Sequence, residues 1–135
     1  VMLGREINRA RHGSGRLVLA YVEVDGLKRI NDADGHSADD TLLRDVVAAT
    51  ARHLRSYDPI VRVGGDEFVC ALGDADIEEA GERFRNIVST IKQTHPGSSV
   101  SVGLAALEPE DSLDRLIQRA DRDLGATRAA GKVPS

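Results

Sequence analysis

Ile60-Val61-Arg62-Val63-Gly64-Gly65-Asp66-Glu67-Phe68-Val69-Cys70-Ala71-Leu72 consists of two short apolar runs on either side of Gly64-Gly65-Asp66. That pattern predicts a β-hairpin, with strands over Ile60–Val63 and Phe68–Leu72. The glycine pair lets the backbone approach a ligand closely. A hairpin needs a turn residue, but it does not need Asp66 and Glu67 side by side. Taken alone, such a tip is most simply a solvated turn with incidental charge.

Upstream, Leu17 to Val24 (LVLAYVEV) is a nearly continuous apolar run, which predicts a strand covered on both faces. Glu23 and Asp25 share one face of it, at period two. An acid in such a strand is costly to bury unless it is paired or holds a metal. Salt-bridge partner and metal ligand are equally good readings of Glu23 by itself. If this strand neighbours the second hairpin strand, Glu23 and Asp66 lie at the same end of the sheet. Two hard carboxylates there suit Mg²⁺, which keeps waters and bridges phosphate oxygens. The turn Gly26-Leu27-Lys28 follows and could cradle phosphates with its N–H groups. Asn31 and Asp40 are candidate readers of guanine, an amide and a carboxylate that match its edge. As lone residues they are a turn former and a helix-start acid.

The remaining periodicity predicts helices over residues 2–11, 38–55, 76–93 and from Ser112 to about Ala130, with a strand over Ser99–Ala106. Ile77, Ala80, Phe84, Ile87, Val88 and Ile91 are expected to face inward. The order strand, helix, hairpin, helix, strand, helix predicts an α+β fold, a ferredoxin-like, palm-type mixed β-sheet surrounded by helices.

The chain's 135 residues make one ordinary domain, 1–135, expected to be cut from a longer multidomain protein. With 41% apolar and 30% charged residues it is globular in composition. Aromatics at 3% argue against a base-stacking surface, and a net charge of −4 without a basic stripe argues against a nucleic-acid polymer as partner. The single cysteine, Cys70, sits in an apolar run and is expected to be a buried thiol. A cytoplasmic domain is the expectation. No apolar stretch approaches the roughly 20 residues of a membrane span, and membrane anchoring of a parent protein is left open.

Five blocks then fall into register. Val63 to Phe68 reads V-G-G-D-E-F. Glu23 to Asp32 (EVDGLKRIND) is similar to D-x-D-x-F-K-x-I-N-D, and Gly35 to Asp40 (GHSADD) to G-H-x-x-G-D. Ser101 to Ala105 (SVGLA) resembles S-x-G-x-A, and Ala120 to Leu124 (ADRDL) resembles A-D-x-A-L. Over about residues 17–132 the chain resembles a GGDEF domain of the diguanylate cyclase family. The resemblance implies a nucleotidyl cyclase-like palm fold and bacterial second-messenger signalling. It implies condensation of two GTP into cyclic di-GMP with release of pyrophosphate, at a homodimer interface, with Mg²⁺ or Mn²⁺. Sensory or EAL-type domains are possible neighbours in a parent chain. A degenerate domain that binds GTP or cyclic di-GMP for regulation, or serves dimerisation, is the alternative.

By position, the resemblance implies a metal site of Glu23, Asp66 and the Val24 carbonyl, with Glu67 assisting metal binding or proton transfer. Gly26, Leu27, Lys28, Arg128 and Lys132 would bind phosphates, and Asn31 and Asp40 guanine. Gly64, Gly65 and Phe68 complete the signature loop. Arg55-Ser56-Tyr57-Asp58 fits an R-x-x-D product-inhibition site made by Arg55 and Asp58, with Arg83 or Arg85 as a second arginine. The chain departs from the family pattern at several positions. Glu23 stands for Asp, Leu27 for Phe, Asp39 for Gly and Gly125 for Tyr. Arg128 and Lys132 hold the family's Lys and Arg in exchanged order, and the leader is recognisable only as Ile7-Asn8-Arg9.

Overall fold

A computed structural model describes residues 2–25, 36–55 and 58–129. In chain order these form α1 (Met2–His12), β1 (Leu17–Asp25), α2 (His36–Arg52), β2 (Ile60–Arg62), β3 (Glu67–Gly73), α3 (Ile77–Thr94), β4 (Ser99–Ala106) and α4 (Leu113–Ala129).

The four strands make one sheet in the order β2-β3-β1-β4. All three pairings are antiparallel, so the sheet is not mixed as expected. The reason lies in the split of each strand–helix–strand unit. β1 and β2 run parallel but β3 lies between them, and β3 and β4 run parallel with β1 between. The ferredoxin-like plan therefore holds, with the parallel relations never hydrogen-bonded.

β1 is central, and its alternation builds two cores. Val18, Ala20, Val22 and Val24 face α2 and α3, packing with Leu42, Val46, Phe84, Ile87 and Ile91. Leu17 and Leu19 face the other side, with Leu3 and Ile7 of α1 and Leu116 and Ala120 of α4. Cys70 lies in the first core, fully buried, as expected. Burial pushes its thiol well up, with the Asp58 carboxylate adding to the effect. Such a thiol is inert rather than nucleophilic.

Three local differences have local causes. Ile77 is 43% exposed, because Ala75 and Ala80 close the core layer before it. Its turn instead carries a capping box, Asp76 accepting from the Glu79 N–H while Glu79 accepts from the Asp76 N–H. The α2 helix ends at Arg52, and the His53 and Leu54 N–H groups tighten the chain by donating to Thr50 and Ala51. β2 ends before Val63 because the turn begins there, with the Gly64 N–H converging with the Val63 N–H on the Glu67 carbonyl. The α4 start is as expected, with Ser112 Oγ accepting from the Arg115 N–H at 3.1 Å.

A Cβ built on Gly125, within α4, meets nothing within 4 Å. Gly125→Ala is therefore expected to stabilise the chain by about 1 kcal/mol through helix propensity. A raised denaturation midpoint checks this; a lowered one contradicts it.

Candidate active site

The signature hairpin is locked to β1 by register. Glu67 of β3 lies directly opposite Glu23 of β1, and Phe68 opposite Val22. One step on, the Val24 N–H donates to the Asp66 carbonyl at 2.8 Å. A strand residue presents its N–H and C=O on the same side. The Val24 carbonyl thus faces the Asp66 backbone. The end of β1 and the hairpin tip lie at one end of the sheet, as expected if the strands were neighbours.

The tip is held from within. The Val63 and Gly64 N–H groups both donate to the Glu67 carbonyl, at 3.0 and 3.3 Å. Arg62, at the end of β2, folds over the turn. Its Nε donates to the Gly64 carbonyl at 3.1 Å, and a terminal nitrogen donates to the Gly65 carbonyl at 2.7 Å. A Cβ on Gly64 would lie 3.1 Å from a Glu67 carboxylate oxygen, so glycine leaves room for that carboxylate to fold back over the turn. A Cβ on Gly65 would meet nothing within 4 Å; that side is open to a ligand.

Arg62 therefore sets how the tip presents Asp66 and Glu67. Arg62→Ala is expected to lower turnover about tenfold to a hundredfold, since ångström-scale misplacement has that cost. Steady-state rates check this, with the denaturation midpoint little changed. Full activity in the variant would contradict a positioning role.

Glu23 and Glu67 are cross-strand partners, so both lie on the α1 and α4 side of the sheet. Like charges placed directly opposite are destabilising. A cation between them, with Asp66 alongside, reverses the sign of that effect. All the donors are oxygens: carboxylates of Glu23, Glu67 and Asp66 and the carbonyl of Val24. Among the described residues no three His, Cys, Asp or Glu side chains close into a metal cage. Oxygen donors of this kind suit Mg²⁺, an ion that keeps waters and shares phosphate oxygens.

On that face α4 runs along the sheet in almost direct backbone contact at Gly103. A Cβ there would lie 2.1 Å from the Ala120 carbonyl oxygen and 2.4 Å from the Leu124 nitrogen. Asp123 fixes the helix, accepting from the Leu104 N–H at 2.9 Å. Ser101 is the β4 partner of Glu23. Beyond Leu124 the helix runs on towards that strand end and carries Arg128. The Arg128 side chain lies outside the described residues, as do Lys132, Asn31 and the turn Gly26-Leu27-Lys28.

Asp40 sits in the first turns of α2, its side chain likewise outside the described residues. One turn on, Leu43, Arg44 and Val47 wall a cavity of about 410 Å³ against Ile60, Arg62 and Phe68. Its volume is within the range of small-molecule pockets. It joins the helix that carries Asp40 to the hairpin that carries Asp66. Sequence reasoning missed these walls, because Leu43, Val47 and Ile60 read only as core.

Arg55 and Asp58 lie at the other end of the sheet. The Asp58 carboxylate accepts from the Arg55 N–H at 2.9 Å and the Gly73 N–H at 3.2 Å, and its own N–H donates to the Arg55 carbonyl at 3.0 Å. Gly73 ends β3 and Glu67 begins it, which separates the two sites by about 20 Å at strand rise. The Arg55 guanidinium pairs with Asp74 at 2.7 Å. The second arginine brought to Asp74 is Arg16, whose guanidinium donates to the Asp74 carbonyl at 2.9 Å. Neither Asp74 nor Arg16 was singled out by the sequence.

The family model for "Diguanylate cyclase, GGDEF domain" matches residues 1–133. Among curated proteins, the chain is 32% identical to the diguanylate cyclase DgcP of Pseudomonas aeruginosa, over 96% of the chain and 20% of that protein. It is 35% identical to the diguanylate cyclase DosC of Escherichia coli, over 95% of the chain and 30% of that protein. The chain thus spans a third or less of the length of these relatives. Among solved structures, a microbial GGDEF domain described in a novel interaction mode with cyclic di-GMP superimposes with a TM-score of 0.88. It is 30% identical, covering 96% of this chain and 84% of that one. The diguanylate cyclase SiaD of Pseudomonas aeruginosa, solved with its activator SiaC, gives 0.82 at 27% identity, over 94% of this chain and 52% of that one.

Proposed function

The chain belongs to the GGDEF diguanylate cyclase family, and from that membership we propose that it condenses two GTP into cyclic di-GMP. The observation that carries the proposal is the strand-end pairing of Glu23 with Glu67, beside an Asp66 whose backbone is bonded to Val24. It sets Glu23 of β1 opposite a hairpin tip that carries Asp66 and Glu67, is braced by Arg62 and is open at Gly65.

Each GTP would use its 3′-hydroxyl to attack the α-phosphorus of the other. One P–O bond forms, the bond to pyrophosphate breaks, and the hydroxyl proton leaves; two such events close the ring and release two pyrophosphates. A single chain offers one hairpin tip, so two copies must face each other. Glu23, Asp66 and the Val24 carbonyl would hold Mg²⁺ or Mn²⁺. When bound, the ion supplies charge neutralisation at the phosphates and polarises the reacting oxygens. Glu67 would assist metal binding or take the hydroxyl proton. Gly26, Leu27 and Lys28, with Arg128 and Lys132, are assigned to the phosphates. Asn31 and Asp40 are assigned to guanine, with the cavity beside α2 receiving the purine.

In this reading two chains each supply one GTP, so product formed per chain should rise with protein concentration. A rate per chain independent of concentration would contradict a face-to-face reaction. One observation favours a second reading, a domain that binds GTP or cyclic di-GMP without turnover: Glu23 is a methylene longer than the Asp it replaces. Product from Glu23→Asp but not from the unaltered chain would establish that reading.

Arg55 and Asp58 are assigned to product inhibition. A bidentate arginine suits a guanine edge or a phosphate. Asp58 would act mainly by fixing Arg55, since its carboxylate already holds the Arg55 and Gly73 N–H groups. Arg55→Ala is expected to raise the cyclic di-GMP concentration that halves activity by about tenfold or more. An unchanged inhibition curve would remove the assignment.

A further inference from the structure

Resting on that product-site assignment, we propose that Asp74 is a built-in competitor for the product. Its carboxylate occupies the Arg55 guanidinium, and a cyclic dinucleotide phosphate must displace it to bind.

The geometry is that of a resident counter-anion. One Asp74 oxygen accepts from an Arg55 terminal nitrogen at 2.7 Å, and the other accepts from Ser14 Oγ at 2.6 Å. The Arg16 guanidinium meets the Asp74 carbonyl at 2.9 Å, so both arginines converge on this one residue. The backbone that carries the carboxylate is held as well. The Asp74 N–H donates to the Arg16 carbonyl at 3.0 Å, and the preceding Gly73 N–H donates to Asp58. Asp74 holds φ at 57°, a left-handed conformation that is uncommon outside glycine and that Asp and Asn tolerate best.

The Ser14 hydrogen bond and then the Arg55 guanidinium hold the Asp74 carboxyl below the usual carboxylate range, so it is charged throughout the neutral range. The pair is also open to exchange. The Arg55 and Asp74 side chains are 40% and 47% exposed, and exposed pairs of this kind are weak. A phosphodiester anion can take the same guanidinium face at modest cost. The competitor therefore tunes affinity: it raises the product concentration at which the distal site fills, without abolishing the site. Asp58 has a different task, since its carboxylate holds the Arg55 backbone N–H.

Equilibrium binding of cyclic di-GMP to the whole chain tests this in five forms: unaltered, Asp74→Gly, Asp74→Asn, Arg55→Ala, and Asp74→Gly with Arg55→Ala. Glycine adopts the left-handed backbone freely. Asparagine tolerates that backbone and keeps an acceptor for Ser14, which guards against misfolding of the glycine variant. Asp74→Gly is expected to tighten binding about threefold to tenfold, and Asp74→Asn by less. The gain should vanish in the double variant. Unchanged or weaker binding in both Asp74 variants, with Arg55→Ala still weakening binding, would overturn the competitor and leave the product site standing. If Arg55→Ala does not weaken binding, the product-site assignment itself fails, and the competitor fails with it.

Discussion

Asp66→Ala is expected to lower metal-dependent GTP turnover by about a thousandfold or more. The charge stabilisation supplied through a bound divalent cation is worth several kcal/mol, and each 1.4 kcal/mol is about tenfold in rate. Asp66 contributes to the fold through its carbonyl, which accepts from the Val24 N–H, and alanine keeps that carbonyl. The side chain is half-buried at a hairpin tip, outside both cores. Stability should therefore stay within about 0.5 kcal/mol. A variant with a native denaturation midpoint and no product separates chemistry from folding. Turnover at the original rate would remove Asp66 from the metal site.

Gly103→Ala carries the largest expected effect on stability. The added carbon would lie 2.1 Å from the Ala120 carbonyl oxygen, 2.4 Å from the Leu124 nitrogen and 2.8 Å from the Leu124 Cα. All three are backbone atoms of α4, so no rotamer change relieves the clash. The helix would have to retreat by about 1 Å, taking with it the buried Leu116, Ala120 and Leu124 and the Asp123 bond to the Leu104 N–H. Overpacking against an immobile neighbour costs about 3 kcal/mol or more. For a chain of this size that lowers the melting temperature by about 10 °C. An unchanged midpoint would mean that α4 does not lie against the sheet at Gly103. The glycine in S-V-G-L-A thus has a packing cause, distinct from the turn glycines of the signature.

Periodicity carried most of the fold. The nearly continuous apolar run of Leu17 to Val24 foretold a strand buried on both faces, and two separate cores meet there. The 3.6-residue stripe of α3 was legible from Ala80 to Ile91, but Ile77 shows its limit. Phase says which way a side chain points, not whether anything lies over it. Strand direction was also beyond local reading, because a crossover helix makes two strands parallel without making them neighbours.

The candidate site was legible where chemistry is local. Asp66, Glu67 and Glu23 stood out because acids at strand ends need a reason. Their opposition across β1 and β3 depended on a neighbour relation that the sequence could only suppose. Arg62 was invisible, since an exposed arginine on a short strand reads as solvated surface. Its role lies in two carbonyls only two and three residues away. Asp74 was invisible for the opposite reason: its partners Ser14 and Arg55 are brought to it by the fold alone.

The two ends of the sheet have separate tasks in this reading. The Glu67 end of β3 gathers carboxylates for a cation and the reacting phosphates. The Gly73 end gathers arginines for the product. β1 and β3 connect them through buried, hydrogen-bonded strands. Among the described residues no helix is long and apolar enough to cross a membrane.

Incubating the chain with GTP and Mg²⁺, and separately with Mn²⁺, at high protein concentration, and identifying the products by mass spectrometry, is the most direct measurement. Cyclic di-GMP with pyrophosphate, formed by the unaltered chain and lost in Asp66→Ala, is the predicted result. GTP left intact with either metal at every protein concentration would contradict the proposed cyclase activity.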